Sequence, residues 1–441
     1  FSAIPNDLLD VASSNMADCR IAAKRMRGGV KLLEDKNNLS FYKAFAFMSE
    51  SMVQQRVRSE IVLAKRSDLR QEDIPAIWRP FQLLFILQCL EGLAHPDAPD
   101  REIADLLWFP TGGGKTEAYL GLISFTLMLR RIQGRSHGVS TIMRYTLRLL
   151  TTQQFERAAL LMCCCEVIRR EKAELGDQPF EVGLFIGQNG TPNSLKNAKK
   201  ALEKLRDFAD ADVSKFGNPI QINICVWCGQ SLGPNDHIVG VNCVARCPDP
   251  GCKFHGGLPW FVVDEDIYSR RPNLIIGTVD KFAQLAVVEE AGNLFNRIGK
   301  VDPGLDLIIQ DELHLISGPL GTLAGLYESA IDELGRRESK DPAVLGARAK
   351  LVASTATIRR ASEQVRAVFD REICQFPPSA LDSRNSYFAV ESTPERKGTR
   401  RYVGVLAPGI SQATILVRTY ASLFHEATNG GWDSTVRDLY W

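Results

Sequence analysis

The sequence Asp105-Leu-Leu-Trp-Phe-Pro-Thr-Gly-Gly-Gly-Lys-Thr116 decides the fold class of this 441-residue chain. Its apolar beginning predicts a buried strand over Asp105–Phe109, and the segment Glu117–Arg131 that follows predicts a helix. Three consecutive glycines between them let backbone N–H groups turn inward without clashes from Cβ atoms. A glycine-rich turn between a strand and a helix is typical of a loop that binds nucleotide phosphates.

Each residue of this loop has an expected role. The residues whose backbone N–H groups we expect around phosphate oxygens are Thr111, Gly112, Gly113 and Gly114. Lys115 would neutralise charge on the β- and γ-phosphates, and the Thr116 hydroxyl would bind Mg²⁺. The helix beginning at Glu117 would add the positive end of its dipole. A strict phosphate loop has glycine where this chain has Phe109, so an unrelated glycine turn is the alternative interpretation.

The remainder of the chain alternates short apolar runs with longer amphipathic segments. The further predicted strands are Phe180–Ile186, Asn273–Ile276, Leu305–Ile309 and Lys350–Ala353. The further predicted helices are Thr151–Arg170 and Leu320–Arg336. This alternation predicts an α/β fold with a parallel sheet covered by helices on both faces.

Composition changes along the chain predict its domain organisation. The predicted divisions are an N-terminal helical region over 1–75, a sheet-forming region with the glycine-rich loop over 76–357, and a further region over 358–441. In the first region, residues from Phe41 to Met52 repeat at helical spacing and predict a core-facing stripe. Residues 225–257 are rich in Cys, Gly and Pro and predict an insertion. In the last region we expect a strand at Tyr402–Leu406 and a helix at Ser411–Ala427.

Two adjacent acids, Asp311 and Glu312, follow the predicted strand Leu305–Ile309. Phosphoryl transfer needs a carboxylate that holds Mg²⁺, a role that suits Asp311. It also needs a group that orients and deprotonates the attacking water, a role that suits Glu312. An acidic pair after a strand usually belongs to a solvated loop. The phosphate loop on the same chain favours the catalytic interpretation.

With these motifs the chain resembles the superfamily 2 helicases, whose fold is a RecA-like sheet with a phosphate loop. The resemblance implies that 76–357 is the first ATP-binding lobe and that 358–441 is a linker with the start of a second, truncated lobe. Asp311-Glu-Leu-His314 matches the acidic box of that family. The residues of the motif that couples nucleotide state to nucleic-acid binding would be Ser354, Thr355 and Thr357, and the resemblance implies that His314 contacts this motif. Arg79-Pro-Phe-Gln82 resembles the adenine-binding segment, since the Gln82 amide can donate and accept hydrogen bonds together.

Two further segments match positions that face nucleic acid in the helicase family. The side chains expected to contact phosphates there are Arg144, Arg148, Thr278 and Lys281. Such contacts would hold the backbone without reading bases. Ordinary exposed polar residues are the alternative, because any exposed Lys or Arg can contact phosphate.

Two longer stretches, Thr278–Leu285 and Leu307–Gly321, resemble the helicase subunit of the DISARM bacterial anti-phage systems. The resemblance implies an ATP- and Mg²⁺-dependent DNA translocase or helicase that acts with other DISARM subunits in defence. An ATP-switched clamp on DNA or on a partner, without unwinding, is the alternative. The second-lobe arginines of such enzymes are not found in this sequence, so we expect weak hydrolysis by this section and a longer complete protein.

Four cysteines in the insertion have the spacing of zinc ligands. Cys225-Val-Trp-Cys228 and Cys247-Pro-Asp-Pro-Gly-Cys252 each supply two thiolates from one turn. Four thiolates saturate tetrahedral Zn²⁺, so a zinc-ribbon-like structural site is expected. Cys243 and His255 are rival ligands that spacing does not exclude. The alternative is that these are cytosolic cysteines that bind no metal.

Composition excludes several classes of protein. The 53 Lys and Arg residues balance 52 acids, so the net charge of +1 predicts no global attraction to nucleic acid. No apolar run approaches the ~18 residues that span a bilayer, so no membrane association is expected. Eleven cysteines, an odd number, favour a reducing compartment and predict a cytoplasmic protein. Cys163, Cys164 and Cys165 lie in an apolar helix and are expected in the core.

Overall fold

The computed structural model describes most of the chain as two compact units, Phe1–Phe388 and Ala389–Trp441. The described residues are 4–64, 71–110, 112–146, 148–187, 189–297, 304–339, 345–355, 360–382, 384–392 and 402–431. Thr111 and Thr357 therefore lie outside the described residues, and so does the side chain of Arg148.

Helices and strands alternate through most of the first unit. The helices are α1 (Leu9–Leu33), α2 (Ser40–Ala64), α3 (Pro80–Ala94), α4 (Pro99–Glu102), α5 (Lys115–Ile132), α6 (Arg148–Glu171), α7 (Leu195–Asp207), α8 (Asp264–Arg270), α9 (Gly318–Leu334), α10 (Ala361–Phe369) and, in the second unit, α11 (Gln412–Asn429). The strands are β1 (Ala104–Trp108), β2 (Thr141–Tyr145), β3 (Val182–Phe185), β4 (His237–Val239), β5 (Cys243–Ala245), β6 (Trp260–Phe261), β7 (Leu274–Thr278), β8 (Leu307–Gln310), β9 (Lys350–Thr355) and β10 (Ile373–Phe376). Two 3-10 helices, Val279–Ala286 and Glu289–Phe295, follow β7.

Eight strands form one parallel sheet in the order β10-β1-β9-β8-β2-β7-β3-β6, and β4 and β5 form a separate antiparallel pair. Helices cover the sheet, which confirms the predicted α/β, RecA-like fold class. The neighbouring strands β1, β9 and β8 end side by side because all three run in the same direction. The segments that follow them are therefore brought together at one edge of the sheet.

Each face of the sheet has its own helical layer. On one face, buried side chains of α8, α9 and α10 share a hydrophobic cluster with the strands, including Ile267, Ile331 and Val365. On the other face α6 contacts β2, β3 and β7, and α5 contacts β8. Cys163, Cys164 and Cys165 on α6 are fully buried, so their predicted place in the core is confirmed.

The N-terminal helices pack directly on this second layer. α1 contacts α3, and α2 contacts both α5 and α6. The predicted stripe on α2 is largely buried, with Phe41, Ala44, Met48 and Met52 in the interior and Phe45 partly exposed. This packing follows from the helical repeat of the apolar residues in α2.

A buried ion cluster also joins α1 to the strand that precedes the phosphate loop. Arg25 of α1 donates to both oxygens of Asp105 on β1, at 2.5 and 2.8 Å, and Lys350 of β9 lies 2.9 Å from the same carboxylate. Burial alone would raise the pKa of Asp105, but the Lys350 and Arg25 cations lower it to about 2. The carboxylate is therefore stabilised by both cations in the folded chain, although it is fully buried.

We expect Arg25→Ala to lower the free energy of unfolding by about 3 kcal/mol, because the buried Asp105 carboxylate then keeps only one of its two cationic partners, Lys350. Arg27→Ala on the exposed face of the same helix is the matched control, with an expected change within about 0.5 kcal/mol. Chemical denaturation of both variants measures the difference. Equal midpoints for the two variants would show that the Arg25–Asp105 pair does not hold α1 to the sheet.

Three local features differ from the sequence-based expectations. β2 is absent from the predicted strands, although it lies between β8 and β7 in the sheet. β10 pairs with β1 in the same sheet, beyond the boundary placed at residue 357, and the predicted domain boundaries remain a prediction. The strand predicted at Tyr402–Leu406 is wrong, since these residues are irregular and exposed, whereas the helix predicted after them is present as α11.

Among the helices that the structure describes, none combines the length and the apolar character needed to cross a membrane.

Candidate functional site

The phosphate loop lies between β1 and α5, as the sequence predicts, although α5 begins at Lys115 rather than at Glu117. Gly112 and Gly114 have φ values of 76° and 92°, in the left-handed region that favours glycine. A Cβ atom on Gly113 would lie 2.3 Å from the ring of Phe109. The backbone conformation therefore favours glycine at 112 and 114, and the packing of the Phe109 ring leaves no room for a side chain at 113.

Lys115 is held inside this loop at the first position of α5. Its side chain is buried, and Nζ donates to the backbone oxygen of Phe109 at 2.8 Å. A carbonyl oxygen is a neutral acceptor, so this hydrogen bond does not neutralise the ammonium charge. The arrangement keeps a cation at the N-terminal end of a helix, where anions are bound favourably.

The Arg79–Gln82 segment at the start of α3 forms hydrogen bonds with the phosphate loop. Gln82 Nε2 donates to the backbone oxygen of Gly114 at 2.8 Å, and Arg79 Nη1 donates to that of Gly113 at 2.6 Å. Gln82 Oε1 accepts from the backbone N–H of Arg79 at 2.9 Å. One N–H and one lone pair of the Gln82 amide remain for a ligand.

Phe109, which replaces the glycine of a strict phosphate loop, has a packing role. Its ring stacks on Phe81 of α3, with centroids 3.9 Å apart and planes 10° apart. This stacking links the start of the loop to the helix that carries Gln82. The departure from the pattern therefore strengthens the connection between these two segments.

A cavity of about 350 Å³ opens beside Gln82 and the first turn of α5. Its apolar walls include Met52 and Val53 of α2 and Ile77 and Trp78 from the segment before α3. Its polar lining includes Arg56, Gln82 and Glu117. One oxygen of Glu117 accepts from Arg157, and the other has no hydrogen-bond partner among the described residues. An apolar cavity with a few polar groups in its lining suits an organic ligand such as a planar base.

Asp311 follows β8 and is fixed by groups from α5 and β9. Its Oδ2 accepts from the Tyr119 hydroxyl at 3.0 Å. Its Oδ1 accepts from the Ser354 hydroxyl and from the backbone N–H of Glu312, the latter at 2.9 Å. Burial and the Asp311 charge raise the pKa of Tyr119 well above its ordinary value, so the phenol stays neutral and donates.

Glu312 and His314 lie just beyond this carboxylate. Glu312 has φ 48°, a left-handed conformation that is uncommon for a residue other than glycine. Partial burial and the Asp311 charge raise the pKa of Glu312. His314 Nδ1 lies 3.4 Å from Glu312 Oε2 and 3.0 Å from the Thr355 hydroxyl at the end of β9. The structure thus brings together the ends of β8 and β9.

The described side chains that were expected to contact nucleic-acid phosphates lie in the interior. Arg144 is fully buried and forms an ion pair with Glu328 of α9. Lys281 is buried and donates to Asp264 at 2.7 Å, and Thr278 is buried at the end of β7. The expectation is corrected for Arg144 and Lys281, because each cation is neutralised in the interior rather than exposed to phosphate.

The four predicted zinc ligands converge. The sulfur atoms of Cys225, Cys228, Cys247 and Cys252 all lie within 4.8 Å of one another. Cys225 and Cys252 sulfurs are 3.9 Å apart, and Cys228 and Cys247 sulfurs are 3.4 Å apart. Zn–S bonds of about 2.3 Å place tetrahedral sulfurs about 3.8 Å apart. The cluster therefore has the chemistry and the dimensions of a zinc site.

The structure separates the two rival ligands from this cluster. Cys243 lies on β5 in a small hydrophobic cluster with Ala198 and Val263. His255 is exposed, and its Nδ1 is 2.8 Å from the backbone oxygen of Cys247. Neither residue belongs to the four-cysteine group found among the described residues.

Some residues of the site are not found by sequence reasoning. Tyr119, which binds Asp311, carries no motif in a single sequence, and its role depends on how α5 packs on β8. The contribution of α2 to the cavity through Met52 is likewise not visible, because a stripe at helical spacing is typical of core. Arg79 could be noticed from its place beside Gln82.

Comparison with known proteins finds sequence similarity over most of the chain. No protein-family model matches the sequence. The chain is 36% identical over 459 residues to the DISARM protein DrmA of Bacillus paralicheniformis. The match covers 92% of this chain and 40% of that relative, so the chain spans about two fifths of the length of the relative.

Solved structures with partial similarity include a helicase and a DEAD-box splicing factor. The DUF1998 helicase MrfA has a TM-score of 0.39 with 12% identity, covering 85% of this chain and 42% of its own. Mss116p bound to ssRNA and AMP-PNP has a TM-score of 0.36 with 11% identity, covering 66% and 42%. The yeast DEAD-box splicing factor Prp28 has a TM-score of 0.35 with 11% identity, covering 73% and 48%. Because these TM-scores lie below 0.5, the relation to the DISARM protein rests on sequence.

Proposed function

We propose that this chain forms the ATP-binding lobe of a DNA translocase or helicase in anti-phage defence, because 92% of its length resembles the DISARM protein DrmA. Its complete protein would couple ATP hydrolysis to DNA binding and movement, together with other DISARM subunits. The DNA part of this proposal rests on the resemblance, since Arg144 and Lys281 are buried.

One observation carries the ATPase part of the proposal. Three residues that are far apart in the sequence lie at the ends of neighbouring strands of the sheet. Lys115 comes after β1, Asp311 comes directly after β8, and Thr355 is the last residue of β9. Asp311 is already oriented by Tyr119 and Ser354. Phosphoryl transfer depends mainly on such positioning of charged groups, so this edge of the sheet suits nucleotide hydrolysis.

Each described residue of this edge has a proposed role. Lys115 binds the β- and γ-phosphates, and Glu312 orients and deprotonates the attacking water. Thr116 and Asp311 offer the oxygen ligands that Mg²⁺ prefers. Mg²⁺, when bound, supplies positive charge beside the transferred phosphoryl group. The contact between His314 and Thr355 would couple the nucleotide state of this site to the position of β9.

The cavity beside Gln82 is the proposed site of the adenine base. The free N–H and lone pair of the Gln82 amide match the donor and acceptor pattern of the adenine edge. Trp78 and Met52 supply apolar surface on its walls. The N-terminal helix α2 would then belong to the nucleotide site.

The four-cysteine cluster is the proposed site of one structural Zn²⁺. Four thiolates leave no open coordination position, so the ion would stabilise the insertion rather than take part in catalysis. The cluster is supported by packing from outside: Trp227 lies against Phe254, and Arg58 of α2 lies over Trp227 at 4.1 Å. The insertion is thus anchored on the helical layer of the ATP-binding unit.

We expect purified protein to hold about one Zn²⁺ per chain by elemental analysis, because four sulfurs lie at ligand spacing. Cys225→Ser should abolish stoichiometric zinc while ATP binding persists. Cys243→Ser is the matched control and should retain zinc, since Cys243 lies outside the cluster. Zinc-free wild-type protein, or equal zinc loss in both variants, would contradict the assignment.

A strand-displacement assay with the full-length protein separates the motor from the clamp. The proposed motor displaces a labelled strand only in the presence of hydrolysable ATP. A clamp binds DNA in an ATP-dependent way and displaces nothing. ATP-dependent DNA binding without displacement or translocation would therefore overturn the motor in favour of the clamp.

A further inference from the structure

The hydroxyl of Tyr119 lies between three segments that meet at the proposed ATPase site. Tyr119 belongs to α5 and its side chain is 1% exposed. Its hydroxyl oxygen is 3.0 Å from Oδ2 of Asp311, which follows β8, and 3.5 Å from Oγ of Ser354 on β9. One buried side chain therefore connects the helix after the phosphate loop to the segments at the ends of β8 and β9.

The hydroxyl protons decide which of these contacts are hydrogen bonds. A hydroxyl has one proton to donate, and an ionised carboxylate can only accept. Ser354 donates its proton to Asp311 Oδ1, and Tyr119 donates its proton to Asp311 Oδ2. Both protons are used on Asp311, so the 3.5 Å contact between the two hydroxyl oxygens has no proton of its own. Tyr119 and Ser354 thus hold the two oxygens of one carboxylate from opposite partners, α5 and β9.

Tyr119 also connects the two residues that are proposed to bind Mg²⁺. Thr116 lies three residues before Tyr119 on α5, and residues three apart are neighbours on one face of a helix. The hydrogen bond from Tyr119 ties this face of α5 to Asp311. The Thr116 hydroxyl and the Asp311 carboxylate are therefore related to each other through one turn of helix and one hydrogen bond.

The hydroxyl of Tyr119 is the part of the side chain that acts on Asp311. A phenylalanine ring would fill the same apolar space, and a buried hydroxyl costs free energy unless it forms a hydrogen bond. The Tyr119 hydroxyl meets this requirement with a charged acceptor, which makes the stronger kind of hydrogen bond. Packing of the ring and orientation of the carboxylate can therefore be separated by removing one oxygen atom.

We propose that Tyr119 is a positioning residue for Mg²⁺, and that its hydroxyl holds Asp311 in the orientation that binds the cation. This inference rests on the proposed ATPase function and adds a residue outside the set proposed to bind phosphate, cation and water. Hydrogen bonds that orient a metal ligand contribute about 10- to 100-fold to metal affinity or activity. Without the hydroxyl, Oδ1 of Asp311 keeps its donors Ser354 and the Glu312 N–H, but Oδ2 loses its donor from α5.

Calorimetric titration of the full-length protein with a non-hydrolysable ATP analogue, repeated at increasing Mg²⁺, tests this role. We expect Tyr119→Phe to raise the Mg²⁺ concentration for half-maximal analogue binding by about 10- to 100-fold. Saturating Mg²⁺ should restore the analogue affinity, because Thr116 and Asp311 remain. Binding of Mg²⁺ to the free analogue is the same for every variant and cancels in the comparison.

Tyr327→Phe on α9 is the matched control for Tyr119→Phe. It also removes a tyrosine hydroxyl with a hydrogen bond, which is donated to the backbone oxygen of Val279 at 3.0 Å. This variant should keep the Mg²⁺ requirement of the wild type. Thermal denaturation without Mg²⁺ or nucleotide checks that both variants are folded, which is expected because each keeps its aromatic ring.

Three results would overturn the positioning role of Tyr119. They are an unchanged Mg²⁺ requirement in Tyr119→Phe, an equal increase in Tyr327→Phe, and a loss of analogue binding that saturating Mg²⁺ does not restore. Wild-type protein that binds no analogue at any Mg²⁺ concentration would instead contradict the proposed ATPase function, and this inference with it. The wild-type titration therefore distinguishes the two failures.

Discussion

Glu312→Gln should lower the ATP turnover of the full-length protein by about 10²- to 10⁴-fold, the range that a positioned general base contributes. Glu312 follows Asp311 directly after β8, and its left-handed backbone with φ 48° turns it away from the strand path. His314 lies 3.4 Å from its carboxylate. Glutamine keeps the size of the glutamate side chain, but its neutral amide cannot take the proton from the attacking water.

The binding of ATP should persist in the Glu312→Gln variant, because Lys115 and the glycines of the loop are unchanged. Single-turnover hydrolysis and retention of labelled ATP on gel filtration measure the two effects separately. Glu333→Gln on α9, whose side chain is 69% exposed, is the control and should turn over ATP normally. Wild-type turnover in Glu312→Gln would show that another group acts as the base.

Lys115→Ala should lower ATP turnover by at least about 10²- to 10³-fold, the cost of removing one group that stabilises transition-state charge. The ammonium group of Lys115 is buried at the N-terminus of α5 and bonded to the neutral carbonyl oxygen of Phe109. A phosphate would replace that acceptor with a charged one and form a stronger hydrogen bond. Nucleotide affinity should therefore fall together with turnover.

Isothermal titration with a non-hydrolysable ATP analogue measures the affinity of the Lys115→Ala variant. Because Lys115 is buried, thermal denaturation without nucleotide must show that the variant is folded. Lys24→Ala, an exposed position on α1, is the charge-matched control. Equal analogue affinity in wild type and folded Lys115→Ala would contradict the role of the loop in phosphate binding.

The strands of the sheet centre are predictable where they form uninterrupted apolar runs. β7, β8 and β9 lie within a few residues of their predicted positions, because strands buried on both faces are rich in Ile, Leu and Val. β2 escapes prediction because Thr141 and Arg144 interrupt its apolar run. Arg144 is tolerated there since Glu328 neutralises it, and that partner lies 184 positions away in the sequence.

The same physical reason limits what can be predicted about the site from the sequence. The glycines of the phosphate loop and the two cysteine pairs are local patterns, and each requires a local backbone geometry that the structure shows. The burial of Lys281, in contrast, depends on its ion pair with Asp264, which belongs to another element and is not part of a local pattern. Tyr402–Leu406 has a strand-like pattern, but a strand also needs a neighbour that pairs with it.

The structure also explains one departure from a known pattern. Phe109 stands where a strict phosphate loop has glycine, and it stacks on Phe81 beside Gln82. The pattern alone counts this residue against nucleotide binding. Its packing partner comes from α3, an earlier helix of the chain, and cannot be inferred from the loop itself.

ATP turnover by the full-length protein, alone and with single-stranded DNA, duplex DNA or RNA, tests the central claim most directly. Lys115→Ala provides the blank for each condition. If the protein is a DNA-directed motor, one form of DNA should strongly stimulate ATP turnover by the wild type. This stimulated turnover should be absent in Lys115→Ala. Turnover that no nucleic acid changes, or that persists in Lys115→Ala, would contradict the account.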